Sequence, residues 1–321
     1  MDRKAVDIAD GSQYPNERIV KDFLQDAQAQ GIDKRTLQTY RSYLKFFMLQ
    51  SKKSHNLVDK NDLKSFLLIL KDRGLSPSSV NGYFAALNSF FDYLEEEKII
   101  PVNFVPSFRR RYLKNILRDV KKDAYNSRRQ LISVEKMREL INSTLDPRDR
   151  AIMVLLAKTG IRRNELINID LEDIDWDIMS ITLKKTPKRT NLIIYFDEEC
   201  ARVLKRWLKL REEINVDPKQ RAVFINQENE RLKRNGIYSM VIGYAKRIGI
   251  HNPKSKDINV RFTTHCFRHW FTTHLLSNGM SREFVSELRG DSLNETIDIY
   301  NHINKSDLRE AYLAYIPKLY I

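Results

Sequence analysis

The N-terminal third of the chain carries four apolar stripes at helical spacing, each with its own start and stop signals, and this restricts the region to a helical bundle. From Glu17 to Ala29, Ile19, Val20, Phe23 and Leu24 share a face and Gly31 ends the run. A second helix begins near Asp33 and sets Leu37, Tyr40, Leu44 and Phe47 three and four apart. Asp59 announces a third, with Leu63, Phe66, Leu67 and Leu70, which stops at Gly74. Ser76-Pro77, a cap followed by proline at the first helical position, opens a fourth that runs through Val80, Tyr83, Phe84, Leu87, Phe90, Phe91 and Leu94. Pro101 and Pro106 are expected to end regular structure.

A basic strip follows. Between Ser107 and Gln130 stand nine cations, Arg109, Arg110, Arg111, Lys114, Arg118, Lys121, Lys122, Arg128 and Arg129, against Asp119 and Asp123. That is +7 in 24 residues, half of the formal +14 of the whole chain. Such a segment is either a solvated linker or a strap across a phosphate backbone. The length of 321 residues allows a domain on each side of it. No run reaches the ~18 to 20 apolar residues of a membrane span and the N-terminus lacks a secretory apolar core, so a soluble intracellular protein is expected. Cys200 and Cys266 are too few for a disulfide framework or a cysteine zinc site.

Beyond the strip, Ser133 is a plausible cap for a helix from Val134 to Ser143, and Arg150 to Ala157 reads as an apolar helix ending at Lys158-Thr159-Gly160. Helical spacing resumes from Asn164 to Ile169. Between Asp175 and Ile194, apolar residues bracket the cationic run Lys184 to Asn191, which gives two strands around a turn. Further helices are expected at Glu198 to Glu213, Arg234 to Ile248, Thr264 to Ser277, Arg282 to Leu288 and Leu293 to Ile303.

The densest run of reactive side chains is Thr264 to His274. On a helix, His265 and Arg268 share a face while Phe267, Phe271 and Leu275 form the apolar stripe. His265 and His269 have zinc-ligand spacing, but Cys266-Phe267-Arg268 between them lacks the protease glutamate and sets a cation beside the metal, so no metal is expected. His251, His269, His274 and His302 are read as structural. A His-x-x-Arg pair, a second arginine, a lysine on a turn and a tyrosine together suit metal-free phosphoryl transfer. Arginines stabilise the charge on the non-bridging oxygens, lysine or histidine moves the proton, and a tyrosine hydroxyl attacks phosphorus.

Three motifs in order then carry a family resemblance. Thr159-Gly160-Ile161-Arg162-Arg163-Asn164-Glu165-Leu166, His265-Cys266-Phe267-Arg268-His269, and Gly290-Asp291 with Tyr300 nine residues later resemble the arginine motif, the His-x-x-Arg-His box and the Gly-His and tyrosine segment of the tyrosine recombinases, or phage integrase family. The match spans about 140 residues, and the helical N-terminal region is similar to the family's core-binding domain. The resemblance implies a mainly α fold: an N-terminal helical core-binding bundle and a mostly helical catalytic domain with a small antiparallel β-sheet. It divides the chain into a tail (1–16), the bundle (17–105), a basic linker (106–130), the catalytic domain (131–305) and a C-terminal tail (306–321).

By the same resemblance, Arg162 and Arg268 clamp the scissile phosphate, Glu165 supports the Arg162 loop, His265 works on the tyrosine proton, and Tyr300 attacks to leave a 3′-phosphotyrosyl link. Lys185 is the candidate acid for the leaving 5′ oxygen, with Lys184 and Lys188 as rivals or phosphate contacts. The departure is Asp291, which stands where the family carries His or Trp. A carboxylate there repels a phosphate, so Asp291 is expected to orient a cation, Arg289 or a clamp arginine. The Arg289-Gly290-Asp291 form resembles that of archaeal integrases and implies an archaeal or archaeal-virus source. The implied partner is double-stranded DNA bearing specific recombination sites, encircled by the two domains. The implied assembly is a homo-tetramer at synapsis and a monomer or dimer when free, with no cofactor and no membrane, in a prokaryotic cytoplasm. The C-terminal segment, with Leu313, Tyr315, Ile316, Leu319 and Tyr320, folds back on its own core or docks on a neighbouring protomer. A type IB topoisomerase and a DNA-binding protein with degenerate chemistry are the competing readings.

Overall fold

A computed structural model of the chain describes residues 16–116, 118, 130–186, 189–214, 217–255, 257, 260–291 and 303–321. Lys121, Lys122, Arg128, Arg129, Lys188, Tyr300 and His302 lie outside the described residues, as do residues 1–15 and nearly all of the helix expected from Leu293 to Ile303. The chain splits into two compact units, Met1–Ser127 and Arg128–Ile321.

The first unit contains α1 (Glu17–Ala29), α2 (Lys34–Ser51), α3 (Lys60–Asp72) and α4 (Pro77–Glu96), and the last three begin where local chemistry dictates. The Asp33 carboxylate accepts from the Arg35 and Thr36 N–H groups, Asp59 and Asp62 form a reciprocal capping box, and Ser76 accepts from the Ser79 N–H. The apolar faces meet in a phenylalanine-rich core in which Phe23, Phe47, Phe66, Phe84, Phe90 and Phe91 are all buried.

The expectation that Pro101 and Pro106 end regular structure fails at residue 105, where α5 (Val105–Tyr112) begins. Proline in a first helical turn forfeits only an N–H that has no intrahelical partner, so Pro106 starts a helix instead of stopping one. Asn103 makes the turn into it, accepting from the Val105 N–H at 2.8 Å and donating to Asp92 at 2.7 Å. Phe108 then stacks on Phe84 with ring centroids 5.4 Å apart. The start of the basic strip is therefore helix fastened to the first unit. Arg109 donates to Asn81 Oδ1 at 3.0 Å, while Arg110, Arg111, Lys114 and Arg118 are exposed.

The second unit contains α6 (Val134–Asn142), α7 (Pro147–Thr159), α8 (Arg163–Ile167), β1 (Ile174–Asp175), β2 (Ser180–Thr182), β3 (Ile193–Tyr195), α9 (Glu198–Glu213), α10 (Arg234–Arg247), α11 (Thr264–Ser277), α12 (Arg282–Arg289) and α13 (Lys305–Tyr315). Helix α7 is its axis. Every residue from Ala151 to Thr159 is buried, which explains a sequence that is apolar on all faces, and α9 and α11 pack against it. The sheet is antiparallel in the order β1-β2-β3, with Ile181 paired to Ile174 on one side and Ile194 on the other. The sequence predicts two strands and the sheet has three among the described residues, because β1 has only two residues, too few for an alternating signal.

Residues 305–321 pack on their own unit. Tyr312, buried completely, donates to the Lys158 carbonyl at 3.0 Å, and Leu319 enters the main apolar core. Lys158 has no exposed side-chain surface and its Nζ donates to Asp197 and Glu199, each at 2.6 Å, and to the Pro317 carbonyl at 2.8 Å. Glu199 accepts in turn from the Leu319 N–H at 2.8 Å. Among the described residues, no helix is long and apolar enough to cross a membrane. Cys200 and Cys266 are both buried.

Candidate active site

Gly160 ends α7 at φ 61°, a conformation natural to glycine, and a β-carbon there would fall 2.5 Å from the Phe271 ring on α11. The turn delivers Arg162 to the N-cap of α8. Glu165, three residues on, is 5% exposed and holds Arg162 twice: it accepts from the Arg162 N–H at 2.7 Å and from its guanidinium at 3.0 Å. Arg268 arrives from α11, one turn inside the helix, and is likewise 5% exposed. It donates to the Gly160 carbonyl and to the Arg289 carbonyl, each at 3.0 Å.

Asp291, just past the left-handed Gly290 that ends α12, is the meeting point. Its carboxylate accepts from Arg268 at 2.7 Å, Arg289 at 2.9 Å and Arg162 at 3.1 Å. The structure thus sets Asp291 on both clamp candidates and on Arg289 as well. With Arg189, whose guanidinium lies 3.3 Å from Glu165, four guanidiniums face two carboxylates, an excess of two positive charges in one half-buried pocket. Burial, and then the like charges of Arg162 and Arg289, lower the Arg268 pKa to about 10, so it remains a cation at neutral pH. The guanidiniums around Asp291, those of Arg162, Arg268 and Arg289, can hold an anion and stabilise charge developing on it.

The remaining candidates separate. His265 is exposed on the first turn of α11. Lys184 pairs with Asp173 at 2.7 Å and Asp170 at 3.2 Å, which commits its charge within the protein, whereas Lys185 makes no ion pair among the described residues. Lys188 and Tyr300 lie outside the described residues. The other described histidines of the second unit are held by neighbours: His251 by the Phe262 carbonyl at 2.7 Å, His269 by Thr273 Oγ1 at 3.0 Å, and His274 by the Ile132 carbonyl at 3.3 Å. Arg189 carries no distinguishing signal in the sequence, because a cation in a basic turn looks solvated until its partners are known.

Fold and site together define a mostly helical protein whose second unit gathers arginines from separate segments around one carboxylate. Residues 130–307 match the Phage integrase family and residues 19–100 match "Phage integrase, N-terminal SAM-like domain". The chain belongs to the phage integrase family, the tyrosine recombinases. It is 29% identical over 314 residues to "Tyrosine recombinase XerD" of Listeria innocua, covering 94% of this chain and 99% of that protein. It is 30% identical over 284 residues to "Tyrosine recombinase XerC" of Herpetosiphon aurantiacus, covering 85% and 86%. Among solved structures, the fold resembles the Tn1549 transposon integrase in complex with transposon right end DNA, with a TM-score of 0.67, 17% identity, and coverage of 91% of this chain and 97% of that one. It also resembles a lambda integrase dimer bound to a core site, with a TM-score of 0.66, 16% identity, and coverage of 90% and 98%.

Proposed function

We propose that the chain is a site-specific DNA recombinase that cleaves and rejoins duplex DNA through a 3′-phosphotyrosyl intermediate. The observation that carries this reading is the convergence of Arg162 and Arg268 on one carboxylate oxygen of Asp291, at 3.1 and 2.7 Å. Side chains that chelate a carboxylate present the forked donors that a phosphodiester needs, and membership of the tyrosine recombinases supplies the reaction class. Arg162 and Arg268 take the non-bridging oxygens, and Glu165 and Asp291 hold them in place. The Tyr300 hydroxyl attacks phosphorus with His265 accepting its proton, and the P–O bond to the 5′ oxygen breaks as Lys185 donates a proton to that oxygen. The new 5′-hydroxyl of a second strand reverses these steps, so the bond energy is conserved and neither ATP nor a metal enters.

The basic strip supplies phosphate contacts, the partner is double-stranded DNA with defined recombination sites, and exchange runs in a homo-tetramer in the prokaryotic cytoplasm. The Arg289-Gly290-Asp291 form favours an archaeal or archaeal-virus mobile element as the source, although both relatives named above are bacterial. The test is a duplex carrying a nick beside the cleavage position, so that the released end diffuses away. The expected result is a protein–DNA adduct, without added metal or nucleotide, whose DNA-bearing peptide contains Tyr300. A chain that binds the site and never becomes attached contradicts the reading.

A second expectation concerns affinity. Arg110 and Arg111 are exposed on α5, so the double variant Arg110→Gln, Arg111→Gln should weaken binding to all DNA sequences alike. It should make the slope of log affinity against log salt shallower by about 2. Loss of site preference at unchanged nonspecific affinity would contradict a phosphate-contact role.

A further inference from the structure

We infer that Arg189, with Thr190 and Asn191, is a positioning element of the cleavage step: it fastens the β2–β3 hairpin to the C-terminal end of α12 and so fixes Arg162, Arg268 and Asp291 relative to one another. The inference rests on the recombinase reading above.

Arg189 belongs by sequence to a basic turn, yet its side chain has no exposed surface. Its guanidinium donates to the Leu288 carbonyl at 2.9 Å and the Arg289 carbonyl at 3.1 Å, and its Nε donates to the Asn191 carbonyl. These last-turn carbonyls of α12 have no donor within the helix, and a cation there also suits the helix dipole. The Thr190 N–H donates to the Gly290 carbonyl and its hydroxyl to the Asp291 carbonyl, each at 3.2 Å, while the Asn191 amide donates to the Glu287 carbonyl at 3.1 Å. Three consecutive hairpin residues therefore grip five consecutive carbonyls, from Glu287 to Asp291.

Two features tie this grip to the anion pocket. The Arg289 carbonyl accepts from Arg189 and from Arg268 alike, at 3.1 and 3.0 Å, and Glu165 joins Arg189 to Arg162. Gly290 also fits only because it lacks a side chain: at φ 60°, a β-carbon would fall 2.6 Å from Arg189 Cγ. Burial, with the charge of Arg162, pushes the Arg189 pKa down while Glu165 opposes. An apolar residue would fill this volume without that cost. What only arginine supplies is a planar fork that reaches a carboxylate and two carbonyls at once.

The experiment uses the full chain on two nicked substrates of the same site, one with the natural scissile phosphodiester and one with sulfur replacing the bridging 5′ oxygen. Sulfur leaves as a thiolate, with a thiol pKa of about 8.5, and needs no proton donor. Arg189→Met is expected to keep the parent's DNA affinity and to form adduct about 100-fold more slowly at saturating DNA, on both substrates, because the fault lies in the placement of the phosphate. Arg189→Lys should not restore the rate, since an ammonium lacks the fork. Lys185→Ala, by contrast, should recover on the sulfur substrate. Thr190→Val removes one hydrogen bond at an exposed position and should slow attachment about 3-fold or more with unchanged melting temperature, which serves if the Arg189 variants unfold. Parental rates in folded Arg189 and Thr190 variants, a loss confined to DNA affinity, or recovery of Arg189→Met on the sulfur substrate would each overturn the inference. A parent chain that attaches to neither substrate overturns the recombinase reading itself.

Discussion

Tyr300→Phe is expected to bind a recombination site as tightly as the parent chain and to form no covalent adduct with it. Affinity for DNA comes chiefly from cations meeting phosphates, and the substitution leaves all 56 lysines and arginines in place. It deletes one oxygen, the one that bonds to phosphorus in the proposed reaction. The guanidiniums of Arg162 and Arg268 remain in place, so under the proposed reaction any residual cleavage is hydrolysis by water, seen as slow nicking without attached protein. Electrophoresis under denaturing conditions separates these outcomes: adduct for the parent, free DNA for the variant. An adduct at parental yield from Tyr300→Phe would assign the nucleophile elsewhere.

Lys158→Met is expected to destabilise the second unit by about 3–5 kcal/mol, lowering its melting temperature by about 6–20 °C. Lys158 is completely buried between Asp197 and Glu199, with both nitrogen–oxygen distances at 2.6 Å. Methionine matches its stem and leaves two buried carboxylates and the Pro317 carbonyl without their cation. Burial pushes the Glu199 carboxyl up, but Lys158 and the N–H groups of Leu319 and Tyr320 more than offset this and hold it below its ordinary value. A carboxyl with a depressed folded pKa stabilises the fold above its unfolded pKa, and the benefit is lost as pH falls through the folded value. The gap between parent and variant should therefore narrow in acid. A loss below about 1 kcal/mol at neutral pH would show that the site relaxes around water instead. Docking of the C-terminal segment should loosen first, because Pro317, Leu319 and Tyr320 all depend on this cluster.

Where the signals are local, sequence and structure agree closely. The first helices start at Asp33, Asp59 and Ser76 because each side chain caps N–H groups two or three residues ahead, and Ser133 does the same for α6. Pro106 shows how a local signal misleads: one residue type both stops helices and starts them, and the choice fell to Asn103 and to the stacking of Phe108 on Phe84. The motif order singles out Arg162, Arg268 and Asp291, and the fold brings them together across 129 and 23 residues of chain.

The sequence by itself determined most of the helical punctuation and the family motifs that hold Arg162, Arg268 and Asp291. Only the tertiary structure decided what each charge faces. Lys184 is spent on Asp170 and Asp173, Arg189 is sealed against a helix end about 100 residues away, and Lys158 is the buried anchor of the C-terminal segment. The physical reason is that a charged side chain reads the same in sequence whether it is solvated or buried. Its energy depends on partners that chain proximity does not specify, and in a medium of low dielectric those partners determine whether it binds, positions or destabilises.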